Sequence, residues 1–212
     1  MYQLRKGQKV YLFIRRILDI FFSLLIILLG SWFLLILLII NLFASHGHPL
    51  FKQQRVGQYS KPFNLIKFRT MKYGTDEHLT SEDILDQKQY LTKFGRFLRM
   101  FSLDELPQVF NIFIGNMSFI GPRPLIDEGV DHQTIELRKQ NGADKLKPGI
   151  TGLAQINGRV KSSSLKKSEY DGIYYQKVSF FFDVKIFFIT IFKVLFRKDV
   201  FNEKADEKEI VD

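Results

Sequence analysis

The sequence predicts an α+β fold, mostly helical, with an N-terminal re-entrant membrane helix, a β-hairpin, and amphipathic surface helices around a small globular domain. Three observations predict it. Ile20 to Ser45 runs 26 residues without a charged side chain. Two extended segments, 50–56 and 62–71, flank Gly57-Gln58-Tyr59-Ser60-Lys61, which is a hairpin signal. Several later segments place apolar residues at helical spacing. The domain reading is 1–46 as basic N-terminus and membrane helix, 47–200 as the globular domain, and 201–212 as a charged tail.

As a helix the uncharged run is about 39 Å long, against a hydrocarbon core of about 30 Å. It is too long for the apolar part of a signal peptide, and no small-residue cleavage site follows it. Residues 1–16 carry +5 (Arg5, Lys6, Lys9, Arg15, Arg16) and residues 46–73 carry +6 (Lys52, Arg55, Lys61, Lys67, Arg69, Lys72). Together they exceed the net charge of +9. Cations beside an apolar run suit anionic lipid headgroups, at about 1 kcal/mol each. A nucleic-acid binder would gather them on a folded face, so membrane lipid and not nucleic acid is the expected partner. Because both flanks are equally basic, the positive-inside rule selects no orientation. Spanning and re-entrant topologies both stay open. The re-entrant form needs a central break, and Gly30-Ser31 stands near the midpoint. Asp19 would sit at headgroup level beside Arg15 and Arg16. The chain has no cysteine, hence no disulfide and no thiolate metal site.

Beyond the turn at His48-Pro49 and the hairpin, residues 74–88 read as a polar loop entering a helix. Residues 82–101 show helical spacing through Ile84, Leu85, Tyr90, Leu91, Phe94, Phe97, Leu98 and Phe101. A helix over 104–114 closes at Gly115-Asn116. Then come the Gly121-Pro122-Arg123-Pro124 loop, a helix over 127–140 and a Gly-rich stretch at 147–159. Residues 180–196, apolar except for Asp183, Lys185 and Lys193, suit a helix lying in the membrane interface; a buried core helix is the plainer alternative.

No P-loop, H-E-x-x-H, G-x-G-x-x-G or Asp-x-Asp occurs. The best chemical candidate is Asp104-Glu105. Four other adjacent acid pairs exist (Asp76-Glu77, Glu82-Asp83, Asp127-Glu128, Asp206-Glu207), but this one has apolar neighbours and follows Arg96 and Arg99. With Asp104 as N-cap, Pro107 falls at the third helical position, where its missing N–H costs nothing. The pair would then meet the positive end of a helix, which favours carboxylates and phosphate. A simple cap with a salt-bridged neighbour explains the same residues. On a strand, Lys67, Arg69 and Met71 face one side and Phe68 and Thr70 the other, so two cations can meet a diphosphate or lipid phosphate. Pro122 and Pro124 restrict the backbone around Arg123, lowering the entropy lost when it grips an anion. The cluster Pro148-Gly149-Ile150-Thr151-Gly152 with Gln155-Ile156-Asn157-Gly158-Arg159 can approach a ligand backbone-first.

Taken together, RRILDIFFSLL, PLFKQQRVG, KPFNLIKFRTM, GRFLR-x-x-SLDELPQ-x-x-N, GNMSFIGPRP and KPGITGLAQINGR, in that order, resemble the bacterial sugar transferases. These are the monotopic polyprenyl-phosphate phosphoglycosyl transferases that prime glycan assembly. The resemblance runs from about Arg15 to about Phe196. It implies transfer of a phosphosugar from a UDP-sugar to undecaprenyl phosphate with release of UMP, and a need for Mg²⁺. It implies that Asp104 attacks the sugar-bearing phosphate and becomes covalently linked, and that Glu105 helps hold the metal or takes a proton. Lys67, Arg69, Arg96, Arg99, Arg123 and Arg159 become candidates to offset substrate charge, with Pro122, Pro124 and Gln155 beside them. The implied location is the bacterial inner membrane, with the catalytic domain on the cytoplasmic face. A homodimer stays open as an option. Family members break the membrane helix with Ser-Pro, where this chain has Gly30-Ser31-Trp32. The chain is expected to belong with the short forms, which lack a multi-span N-terminal region. The competing reading is a non-catalytic membrane-surface scaffold, which would have no need of Asp104-Glu105 and its basic surround.

Overall fold

The computed structural model describes residues 3–45, 47–74, 90–157 and 163–196. The described residues are mostly helical, with two small two-stranded sheets. Helix α1, Lys6–Ser45, is 40 residues long. It stays helical through Gly30-Ser31, where the sequence suggested a break. Glycine keeps its N–H and costs only about 1 kcal/mol in a helix, and Ser31 Oγ folds back onto Leu28 O at 3.2 Å. The buried face of α1 is the polar one: Arg15, Asp19 and Ser23, then Leu37, Asn41 and Ser45, each set at four-residue spacing. Phe13, Leu28, Leu29, Trp32 and Phe43 point outward and are more than half exposed. This inverts the pattern of a soluble protein's surface helix and suits a helix surrounded by lipid.

Both ends of α1 are tied to the same globular body. Near its start, Arg15 Nη1 donates to Tyr174 Oη at 2.8 Å and pairs with Asp183 Oδ2 at 3.3 Å. Arg16 donates to the carbonyls of Ile112 and Phe113 at 2.6 and 2.8 Å, and Asp19 accepts from Phe119 N at 3.3 Å. Near its end, Asn41 Nδ2 donates to Pro49 O at 2.7 Å and Arg69 O at 3.0 Å.

Strands β1 (Leu50–Val56) and β2 (Pro62–Phe68) form the expected hairpin, with Leu50 opposite Phe68 and Val56 opposite Pro62. The alternation on β2 is as expected. Phe68 and Thr70 are buried, while Lys67 and Arg69 share the other side over the Phe51 ring. Helix α2 is Lys93–Met100 and starts later than its apolar spacing suggested. Thr92 caps it, accepting from Gly95 N at 2.8 Å, and Leu91 pairs instead with Met71. Ile84 and Leu85 lie outside the described residues. Gly95 is required here, because a Cβ would strike the Thr70 backbone. That close approach sets Arg99 Nε on Thr70 Oγ1 at 3.0 Å.

Asp104 is not a helix N-cap. Leu103–Glu105 form a 3₁₀ turn, and α3 (Gln108–Ile114) starts after Pro107, which occupies the cap position at φ −62°. Proline's fixed φ suits the start of a helix and its missing N–H prevents regular pairing further in. Gly115, at φ +99°, ends α3 as expected.

Strands β3 (Ser118–Ile120) and β4 (Gly149–Thr151) pair in parallel across helix α4 (Gly129–Asn141). The short helix α5 is Leu153–Asn157. Helix α6, Ser164–Lys177, is unassigned by sequence reasoning because its buried face carries Ser164, Ser168, Asp171 and Gly172 with Tyr174 and Tyr175, so it lacks an apolar stripe. Helix α7, Phe180–Phe196, buries only Asp183 and Ile186 and exposes Phe181, Phe188, Leu195 and Phe196. This is the surface-lying helix expected, and not a core helix. The main core joins Ile120, Leu146, Ile156, Tyr174, Tyr175, Val178 and Ile186. Smaller clusters lie under α2 (Leu37, Phe68, Leu98) and β2 (Leu65, Ile112, Met117).

Two glycines of the cluster, Gly149 and Gly152, allow close packing against Gly121. A Cβ on Gly149 would collide with Gly121 N, and one on Gly152 with Gly121 O. Gly149→Ala should therefore destabilise the protein by about 3 kcal/mol through forced backbone shifts, read as a lower Tm in detergent. An unchanged Tm would show that the two backbones can part.

Candidate active site

Asp104 and Glu105 are half-buried in the turn between α2 and α3. Burial, and next the negative charge of Glu105, push the Asp104 carboxyl up to about 6. Lys67 and Arg99 pull the other way. Asp104 is thus still mostly ionised at neutral pH, and two positive side chains face it from β2 and α2. Burial, and then the nearby Arg55 cation, bring the Lys67 ammonium down to about 8. Burial also lowers Arg99, and Asp104 offsets part of this.

The second half of the site is the loop after β3. Pro122 and Pro124 are buried and Arg123 between them is exposed. Five consecutive carbonyls of this loop are held from other elements. Gly121 O accepts from Gln155 Nε2 at 3.4 Å, and Pro122 O from Gly149 N at 2.9 Å. Arg123 O accepts from Arg138 Nη1 at 2.9 Å, and Pro124 O from Arg55 Nη1 at 3.4 Å. Leu125 O accepts from Val56 N at 2.8 Å. Arg138 is itself buried and paired with Asp171 at 2.6 Å. The loop is thus fixed while the Arg123 side chain reaches into solvent.

The structure brings together Lys67, Arg99, Asp104, Glu105 and Arg123, linked through Arg55. Pro122, Pro124 and Gln155 serve by shaping the loop, and Gln155 is buried behind it. Arg69 lies further along the Lys67 face, against Phe51 and Tyr73, with Nε on His48 O at 3.0 Å. Arg96 is exposed on α2. Arg159 lies outside the described residues. Sequence reasoning did not place Arg55 or Asp131 beside these residues. Arg55 feels the charges of Arg123, Asp131 and Glu105. Its only sequence signal is its place in PLFKQQRVG. A cleft behind the loop, lined by Gly57, Ser60, Pro122, Arg138, Asp144 and Pro148 among others, does not include the acid pair.

The acid pair fits a magnesium ion. Magnesium is usually held by one or two carboxylates plus substrate phosphates and water. Asp104 and Glu105 repel each other, a cost that a divalent cation would relieve. Among the described residues no cluster of three metal-binding side chains exists, so these two carboxylates would supply only part of a coordination shell.

Residues 10–197 match the family model described as bacterial sugar transferase. An uncharacterized sugar transferase, EpsL, of Bacillus subtilis (strain 168) is 47% identical over 150 residues, covering 70% of this chain and 71% of that one. The UDP-glucose:undecaprenyl-phosphate glucose-1-phosphate transferase of Klebsiella pneumoniae is 39% identical over 196 residues, covering 88% of this chain and 41% of its own length. The undecaprenyl-phosphate galactose phosphotransferase of Salmonella typhimurium is 32% identical over 201 residues, with coverage of 88% and 41%. The chain therefore spans about two fifths of those two named transferases, and the matched region holds every part of the site described above. A match over 10–197 is nearly the whole described fold, and the chain belongs to the bacterial sugar transferase family.

Proposed function

We propose that this chain transfers a sugar-1-phosphate from a UDP-sugar to a polyprenyl phosphate such as undecaprenyl phosphate, releasing UMP and initiating bacterial glycan assembly. The observation that carries this is Asp104, half-buried, ionised at neutral pH and faced by Lys67 and Arg99. A carboxylate oxygen of Asp104 attacks the sugar-bearing phosphorus, and the bond from that phosphorus to the UMP oxygen breaks. The lipid phosphate oxygen then attacks the same phosphorus, and the Asp104 carboxylate leaves. Lys67, Arg99 and Arg123 offset the charge of the diphosphate. Bound Mg²⁺, held by Asp104 and Glu105, would neutralise phosphate charge. Glu105 helps hold the metal or takes the proton of the incoming lipid phosphate.

Residues 47–200 act as the catalytic domain at the cytoplasmic face of the inner membrane, and α1 is embedded from that face. Between the buried Ser23 and Leu37, residues 24–36 contain no buried residue. Those 13 residues span about 20 Å, short of the hydrocarbon core of about 30 Å. The contacts of both ends of α1 with one body support a topology in which α1 enters and does not cross. The exposed faces of α7, of α2 (Phe97, Met100) and of α3 (Phe110, Phe113, Ile114) extend the lipid-facing surface. Because the chain has no cysteine, single cysteines at Lys9 and Lys52 can report topology directly. Both should react with an impermeant thiol reagent from the cytoplasmic side only; reaction from opposite sides would mean that α1 spans.

The functional test is UMP release by purified protein given undecaprenyl phosphate, Mg²⁺ and a panel of UDP-sugars. Release with one sugar establishes the reaction and names the donor. No release with any donor favours the scaffold reading or a donor missing from the panel.

A further inference from the structure

Arg55 carries a donor that the fold leaves unused. It lies on β1, one residue before Val56, which pairs with Leu125 just beyond the proline-flanked Arg123. Its two terminal nitrogens are engaged: Nη1 on Pro124 O at 3.4 Å and Nη2 on Gln53 Oε1 at 2.6 Å. These bonds fix the plane of the guanidinium. Nε is buried and has no hydrogen-bond partner among the described residues. An unmet buried donor costs about 1–3 kcal/mol, and more on a charged group.

The surroundings are cationic. Burial, and then the Arg123 cation, lower Arg55 to about 10, and Lys67 lies close enough to be lowered by Arg55 in turn. Desolvated cations that repel one another are stabilised by an anion that joins them. Glu105 and Asp131 compensate in part. Bracing the loop uses only the two terminal nitrogens, and Nε is left over.

We propose that Arg55 binds the diphosphate of the nucleotide-sugar, with Nε–H donating to a phosphate oxygen beside Arg123. This rests on the phosphotransfer reading above and adds a residue to it. Arg55 then has two tasks, since the same guanidinium that holds Pro124 O also meets the substrate. Docking the donor would complete its hydrogen bonds and report to the loop that carries Arg123.

The test compares UDP with uridine, which lacks phosphate, as ligands of the full-length detergent-solubilised protein in Mg²⁺. Arg55→Lys keeps a charge and loses Nε–H together with the terminal-nitrogen bonds to Pro124 O and Gln53 Oε1. It should weaken UDP binding by about tenfold or more, the loss expected for a charge-assisted hydrogen bond, and leave uridine binding within about twofold. Equal loss of both ligands would make Arg55 a loop brace only, and no loss of either would remove it from the site. In the wild-type chain, phenylglyoxal labelling read by mass spectrometry needs no variant to fold. UDP should protect Arg55 more than uridine does, and identical labelling with and without UDP would overturn the proposal. A wild-type chain that neither binds UDP nor releases UMP would overturn the phosphotransfer reading itself. One that does both while Arg55→Lys behaves like it would overturn only the role of Arg55.

Discussion

Asp104→Asn is expected to reduce UMP release by about 10³-fold or more, the scale seen when a covalent nucleophile is removed, and to raise the Tm of the metal-free protein. The two effects share one cause. In the folded chain, burial and Glu105 hold the Asp104 carboxyl up at about 6, above its ordinary value near 4. Above about pH 6 the group is ionised in both folded and unfolded states, and only the folded state bears the cost. Below about pH 4 it is protonated in both, and the cost is gone. Wild-type stability from this group therefore falls as pH rises from about 4 to about 6. The advantage of the Asn variant is full at pH 7, on the order of 2–3 kcal/mol, and vanishes below about pH 4. Thermal melts in chelator at pH 7 and pH 4, beside the activity assay, separate the two halves. Near-wild-type activity would remove Asp104 as nucleophile. A Tm gain that is equal at both pH values would mean that the carboxylate's charge is not the origin of the strain.

The second large effect lies far from the chemistry. Asp183→Ala should cost about 3–5 kcal/mol, the scale of breaking a buried ion pair, or roughly 10 °C in Tm. Asp183 Oδ2 accepts from Tyr11 Oη at 2.5 Å and from Arg15 at 3.3 Å, and Oδ1 accepts from Tyr174 Oη at 2.6 Å. Its loss leaves the buried Arg15 guanidinium without its ion-pair partner and two hydroxyls without their acceptor, where α1, α6 and α7 meet. Combining Arg15→Met with Asp183→Asn removes both charges and keeps an acceptor for the tyrosines, so most of the stability should return. A loss below about 1 kcal/mol in the single variant would show that apolar packing, and not this network, ties α1 to the body.

The hairpin, the apolar helices and the acid pair were legible because each depends on residues near one another in sequence. Lys67 and Arg99 were legible as cations. Their meeting at Asp104 depends on Gly95, whose missing side chain lets α2 sit on the Thr70 backbone. Arg55 was not legible as a site residue, because its role comes from the pairing of Val56 with Leu125, a contact between distant parts of the chain. Helix α6 escaped because small polar groups, and not aliphatic ones, fill its contact with α4, where Asn141 Nδ2 reaches Ser168 O at 2.8 Å and Arg138 reaches Asp171. The start of α3 was misplaced by four residues because Asp104 and Pro107 are both good helix beginnings, and proline's geometry prevailed.

The anchoring of Gly121–Leu125 bears on any attempt to exchange donor preference between relatives. The five groups that hold this loop belong to Arg55, Val56, Arg138, Gly149 and Gln155, on four separate elements. A graft of the loop alone carries none of them. The transplantable unit is a scattered set of residues whose members meet only in three dimensions, and a chimera will be productive where the recipient already supplies those five donors.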